Sequence, residues 1–193
     1  MSDFVFVSGR SCLDLAGTKL WRRSAHTELL DSPDALRQWI AEAELVDDPG
    51  HLDGHDLDRV RRLRESVYGL VWAWLPGQEA ATGTEEDLAR VNDAARLPLP
   101  KLQMNAQGAL TRLGGVDEVL GAVARDAIDL LSSRHIRRTK ECAGSDCTRL
   151  FVDLSRSGAR RWCGMAECGN KRKAADYRQR KKQQTSKTSG SGG

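Results

Sequence analysis

Four cysteines carry the clearest chemistry in the chain. Cys142, Cys147, Cys163 and Cys168 fall in two pairs, each with four residues inside it, and fifteen residues separate the pairs. Zinc takes four thiolate or imidazole ligands at tetrahedral corners, and two short cysteine pairs on two turns supply them. The spacing therefore predicts a structural Zn²⁺ site. Four thiolates around Zn²⁺ carry a net −2, which Arg149, Arg160, Arg161 and Lys171 are placed in sequence to offset. A shell closed by four sulfurs leaves no position for water, so catalysis at this metal is not expected. A redox pair and an iron–sulfur cluster are the competing readings. The fifth cysteine, Cys12, stands in an apolar context and reads as a core residue. His51 and His55 lie four apart after Pro49-Gly50 in a loop-like segment and read as no second metal site.

Charge is divided along the chain. Residues 1–133 hold 14 Lys and Arg against 22 Asp and Glu, a net −8, whereas residues 134–182 hold 15 against 5, a net +10. An acidic body joined to a basic end points to a polyanionic partner for the basic part. Arg156, Arg160 and Arg161 flank a predicted turn at Ser157-Gly158 between the cysteine pairs. Asn170, Lys171, Arg172, Lys173 and Arg178 follow the last cysteine in a stretch that favours helix but has almost no apolar stripe. These eight are the candidate nucleic-acid contacts: the cations for phosphates, Asn170 or one Arg for a base edge. A solvated charged helix and a surface for an acidic protein remain alternatives.

The elements that must position these residues can be read in outline. Ser32-Pro33-Asp34 starts a helix with Leu36, Trp39, Ile40 and Ala43 inward. A longer helix is predicted from Asp56 to about Trp74, with Leu57, Val60, Leu63, Val67, Leu70, Val71 and Trp74 in one stripe. Thr84 starts another, with Leu88, Val91 and Ala95 inward, and a further helix spans about 116–133. Phe4-Val5-Phe6-Val7 reads as a short strand, and Asn105-Ala106-Gln107-Gly108 as the turn of a hairpin. The strand and the hairpin are expected to share a sheet. The expected fold is mainly α with a small antiparallel β-sheet, an α+β body. A small four-cysteine zinc-finger module and a basic C-terminal helix follow it. The expected boundaries are a helical sensor or dimerisation domain at 1–133, the finger with its helix at 134–182 and a disordered Ser/Gly/Thr-rich tail at 183–193. Arg10, Asp14 and Thr18 are polar groups in an apolar segment and could line a ligand pocket, although structural roles are favoured for them. No catalytic triad or phosphate-binding loop can be assembled, so no enzyme is expected. No apolar run approaches the roughly 20 residues that cross a bilayer, and no signal peptide is visible, which places the chain in the reducing cytoplasm.

Two segments resemble known families. Cys168-Gly169-Asn170-Lys171 matches the signature of the CGNR zinc finger in three of four positions. Phe151-Val152-Asp153-Leu154-Ser155-Arg156-Ser157 and Arg160-Arg161-Trp162-Cys163-Gly164-Met165 fit the same family. Phe6-Val7-Ser8-Gly9-Arg10 and Leu13-Asp14-Leu15-Ala16-Gly17-Thr18 resemble the ABATE domain that usually precedes this finger. The resemblance implies a bacterial, stress- or ligand-responsive transcription regulator whose finger binds zinc and DNA and whose ABATE domain senses a small-molecule effector. Lys171 departs from the family's Arg, which keeps charge and loses a bidentate fork. RNA, RNA polymerase and a second copy of the chain are the other partners considered.

Overall fold

The computed structural model describes residues 4–77, 83–164 and 168. The expected basic helix and tail beyond Cys168 lie outside the described residues. Among the described residues the body has five α-helices: α1 (Ser11–Ala16), α2 (Pro33–Glu42), α3 (Gly54–Ala73), α4 (Glu85–Ala94) and α5 (Val116–Ser132). Local capping sets their starts. Ser32 Oγ accepts from Ala35 N at 3.2 Å with Pro33 in the first turn, and Thr84 Oγ1 accepts from Asp87 N at 3.1 Å. Helix α3 begins two residues before the expected Asp56. Asp53 takes the cap, accepting from Asp56 N at 2.9 Å while Asp56 returns the bond.

The apolar stripes of α3 and α5 meet in one core. Leu57, Val60, Leu63, Val67 and Val71 from α3 and Val119, Leu120, Val123, Ala127 and Leu130 from α5 are all buried. Two residues assigned to stripes do not belong there. Trp74 lies beyond the last turn of α3 and is 65% exposed, and Leu88 points outward from α4 at 50%. Gly121 shows how closely the layers approach. A Cβ there would sit 2.3 Å from Pro98 O and 2.9 Å from Leu97 O, so the strap after α4 lies directly on α5. Gly121→Ala gains about 1 kcal/mol of helix propensity. The obstructing atoms are backbone, however, so a net loss of roughly 1–3 kcal/mol is expected. Urea denaturation should show a lower midpoint at unchanged slope.

The expected sheet of N-terminal strand and hairpin does not form. Among the described residues there are three two-stranded antiparallel sheets: β1 (Lys19–Leu20) with β2 (Thr27–Glu28), β3 (Lys101–Met104) with β4 (Leu110–Leu113), and β5 (Thr139–Glu141) with β6 (Leu150–Val152). The hairpin β3–β4 forms at the expected turn, where Asn105 Oδ1 accepts from Gln107 N and Ala109 N and Gly108 takes φ +81°. Residues 4–7 join no ladder. They run instead toward the C-terminal module, where Ser8 O accepts from Val152 N at 2.9 Å.

Candidate metal centre

Strands β5 and β6 carry the cysteine site, and a 3-10 turn at Arg134–Arg138 joins them to α5. Alternation along β6 gives the strand two duties. Leu150 and Val152 enter the core of the helical body, whereas Phe151 packs with Cys142 and Cys163 in a small separate cluster supported by Val7 and Trp162. Further contacts fasten the module to the body. Arg22 N donates to Thr148 Oγ1 at 3.1 Å, and Arg23 pairs with Glu141 at 2.5 Å.

Cys142 directly follows β5, and its N–H extends the ladder to Arg149 O at 2.9 Å. The chain then turns back at Gly144, whose O accepts from Cys147 N at 3.1 Å. A Cβ at Gly144 would lie 3.1 Å from Cys147 Cβ and 3.4 Å from Cys168 Sγ, so a glycine lets the loop pass close over the sulfurs. Ala143 N donates to Arg161 O at 2.8 Å and brings the second cysteine pair alongside the first. The four Sγ atoms lie within 4.8 Å of one another, with Cys147–Cys163 at 3.8 Å and Cys163–Cys168 at 3.7 Å. A tetrahedron with Zn–S bonds of about 2.3 Å has edges of about 3.8 Å, so this donor set fits zinc. It does not fit disulfides, which need about 2.05 Å, and all four thiols are free.

The surrounding hydrogen bonds favour thiolates. The N–H groups of Cys163 and Gly144 point at Cys142 Sγ, and that of Arg149 at Cys147 Sγ. Hydrogen bonds from the Cys147 and Cys163 thiols pull Cys142 far below the usual thiol range, and the same contacts push Cys147 and Cys163 up. Burial raises Cys168. Four thiolates this close repel one another, and a dication would offset that charge. Cys142, Cys147, Cys163 and Cys168 would hold Zn²⁺, which would act as a structural clamp between β5, β6 and the turn before Cys163.

Asp153, with no exposed surface, organises the other side of the module. Its carboxylate accepts from Lys140 Nζ at 2.7 Å, Ser155 N at 3.0 Å, Ser155 Oγ at 2.6 Å and Arg160 N at 2.9 Å. Burial would raise its pKa, but these donors outweigh burial and hold it well below the ordinary carboxylate range. The contribution is complete above about pH 4 and is lost progressively as pH falls from there toward the depressed value of the folded state. Asp153→Asn should lower finger stability by about 2–3 kcal/mol at pH 7, because one side of a partly buried pair is left behind. The variant should also lose less further stability than the parent between pH 5 and pH 2. Thermal melts across that range test both statements.

The candidate nucleic-acid residues separate in space. Arg156 and Arg161 are exposed, with the Arg161 guanidinium 5.4 Å from the Trp162 ring. Arg160 turns inward. Its Nε donates to Trp162 O at 2.8 Å, its Nη2 donates to Val7 O at 2.8 Å and to Cys163 O, and it covers the Phe151 ring at 4.5 Å. Asn170, Lys171, Arg172, Lys173 and Arg178 lie outside the described residues. Arg10, Asp14 and Thr18 share no hydrogen bond or ion pair with one another. Arg10 pairs with Asp126 at 2.8 Å and Asp129 at 2.6 Å on α5. Asp14 accepts from Ser8 N at 2.9 Å, and burial raises its pKa against that bond and the charge of Arg149. Thr18 Oγ1 donates to Leu15 O at 2.7 Å and accepts from Arg64 at 3.1 Å. Each braces α1 against a different neighbour, and the described cavities are lined by other residues. Lys140 and Asp153 were not among the residues expected at the site. The usable signal was one acid directly after a buried strand in an otherwise basic segment.

No curated protein matches the chain. The family model for the CGNR zinc finger matches residues 138–181. The model for ABATE, described as "Putative stress-induced transcription regulator", matches residues 9–134, more than half of the chain. The chain therefore belongs to the ABATE family and carries a CGNR zinc finger after its ABATE domain.

Proposed function

We propose that this zinc-binding regulator acts by binding DNA as a bacterial, cytoplasmic, stress- or ligand-responsive transcription factor. Residues 1–133 form its regulatory body, and residues 134–182 its DNA-binding part. One observation carries the reading. Most arginines of the acidic body are held by carboxylates, as Arg10, Arg22, Arg59, Arg64, Arg90 and Arg112 illustrate. Within residues 134–164, by contrast, Arg134, Arg137, Arg156 and Arg161 are exposed and form no ion pair with a carboxylate among the described residues. Unneutralised guanidinium groups on a module that zinc would clamp suit a phosphate backbone. The remaining candidates, Asn170, Lys171, Arg172, Lys173 and Arg178, extend the same basic run. No described helix is long and apolar enough to cross a membrane.

The test is selection of duplexes from a random library by the zinc-loaded full chain, followed by competition with structured RNA. Enrichment of a duplex motif that survives RNA competition and disappears on chelation is expected. Complete displacement by RNA at equal concentration would overturn DNA as the partner.

A further inference from the structure

One cavity that reaches the core of the body lies between α3, α4 and α5, far in sequence from the cysteines. Its volume is about 440 Å³, within the range of small-molecule sites. Leu63 and Leu120, 1% and 4% exposed, form its floor, and Ala89, Ala94 and Leu97 its walls. The Leu97 wall is fixed in place, because Pro98 and Leu97 rest on α5 at Gly121 with no room for a methyl group.

The rim is charged and unbalanced. Two carboxylates and three arginines surround the opening. Both carboxylates are engaged: Glu86 with Arg90 at 2.5 Å and Asp93 with Arg96 at 2.6 Å. Arg59 is engaged by Asp117 at 2.5 Å, and Arg90 also donates to Ser66 Oγ at 3.0 Å. Arg62 stands at the same rim, exposed, with no ion pair or hydrogen bond to the described residues. An apolar, largely preformed groove with one guanidinium at its mouth that no described residue engages fits a particular ligand chemistry. We propose that this groove binds a small amphipathic monoanion, its apolar body on Leu63 and Leu120 and its anionic head on Arg62. The inference goes beyond the nucleic-acid reading and does not depend on it.

The probe is 1-anilinonaphthalene-8-sulfonate, which joins an aromatic body to one sulfonate, titrated into the zinc-loaded full chain by fluorescence. Saturable one-site binding, displaced by decanoate, is expected. Arg62→Gln should weaken it at least tenfold, since a hydrogen bond to a charged group is removed. Ala89→Phe, at an exposed position of α4, should abolish it by filling the groove while the helical melt stays unchanged. The exposed hairpin residues Leu102 and Met104 offer the probe another apolar surface, so Leu102→Ser/Met104→Ser is the control and should change nothing. Binding that survives Ala89→Phe, or that disappears in the hairpin control, would overturn the site. Equal affinity for neutral N-phenyl-1-naphthylamine, or no effect of Arg62→Gln, would overturn the assignment of an anionic ligand.

Discussion

Replacing Cys163 by serine should unfold the finger and weaken the helical body with it. The finger's own buried cluster consists of Cys142, Phe151 and Cys163, with Val7 and Trp162 partly buried against it. So few apolar groups cannot offset the conformational entropy of ordering residues 139–164, at roughly 1–2 kcal/mol per residue. Structural zinc supplies an apparent 10–16 kcal/mol in small finger peptides at neutral pH, and that is the term removed. The damage should spread because β6 is shared. Leu150 and Val152 are 1% and 0% exposed within the body's core, and they keep that place only while β6 stays paired with β5. Losing a buried leucine typically costs about 2–5 kcal/mol, so the body should be destabilised by a similar amount while its helical core holds it folded. Residues 4–8 should loosen too, since Val152 N and Arg160 anchor Ser8 O and Val7 O. Hydrogen exchange with and without chelator in reductant reads each segment. Unchanged protection of β5 and β6 amides in zinc-free protein would refute the clamp.

What the sequence disclosed depended on how local the determinant was. The helix starts at Ser32 and Thr84 were legible because the capping side chain lies three residues from the N–H it serves. The cysteine ligands were legible because the chemistry of zinc restricts both residue type and spacing. The strand expected at residues 4–7 failed for the opposite reason. Its alternation is consistent with pairing, but the available partner is decided by where the finger docks, and Val152 lies far along the chain. The short β1–β2 pair left no signal, since its loop bends at Trp21 and His26 with φ of 48° and 52° and no glycine marks it. Arg160 shows the limit for site residues. In sequence it is one cation of a basic run, and only the fold places Val7 O, 153 positions away, within its reach. The groove under Arg62 was equally invisible, because three helices and the strap at Pro98 build it together.

Affinity for duplex DNA should fall about 250- to 1,000-fold between 50 and 200 mM salt, which corresponds to four to six phosphates and a log–log slope of roughly −4 to −5. The described part of residues 134–168 offers four exposed arginines without carboxylate partners, Arg134, Arg137, Arg156 and Arg161, and the basic run after Cys168 offers more. The discriminating comparison lies among neighbours. Arg161→Ala or Arg156→Ala should flatten the slope by about one unit each, because each phosphate that an arginine neutralises releases about one counterion. Neither should shift the melting temperature appreciably, since exposed side chains of this kind contribute little to stability. Arg160→Ala should do the reverse. Three backbone carbonyls lose their donors and Phe151 loses its cover, so the finger should melt earlier while the slope of the protein that remains folded stays the same. Charge alone cannot produce this pattern, because Arg160 and Arg161 are adjacent and carry the same charge. Equal flattening by Arg160→Ala and Arg161→Ala at unchanged stability would show that Arg160 leaves its carbonyls to meet phosphate, and a slope near zero in the parent would remove phosphate binding from the function altogether.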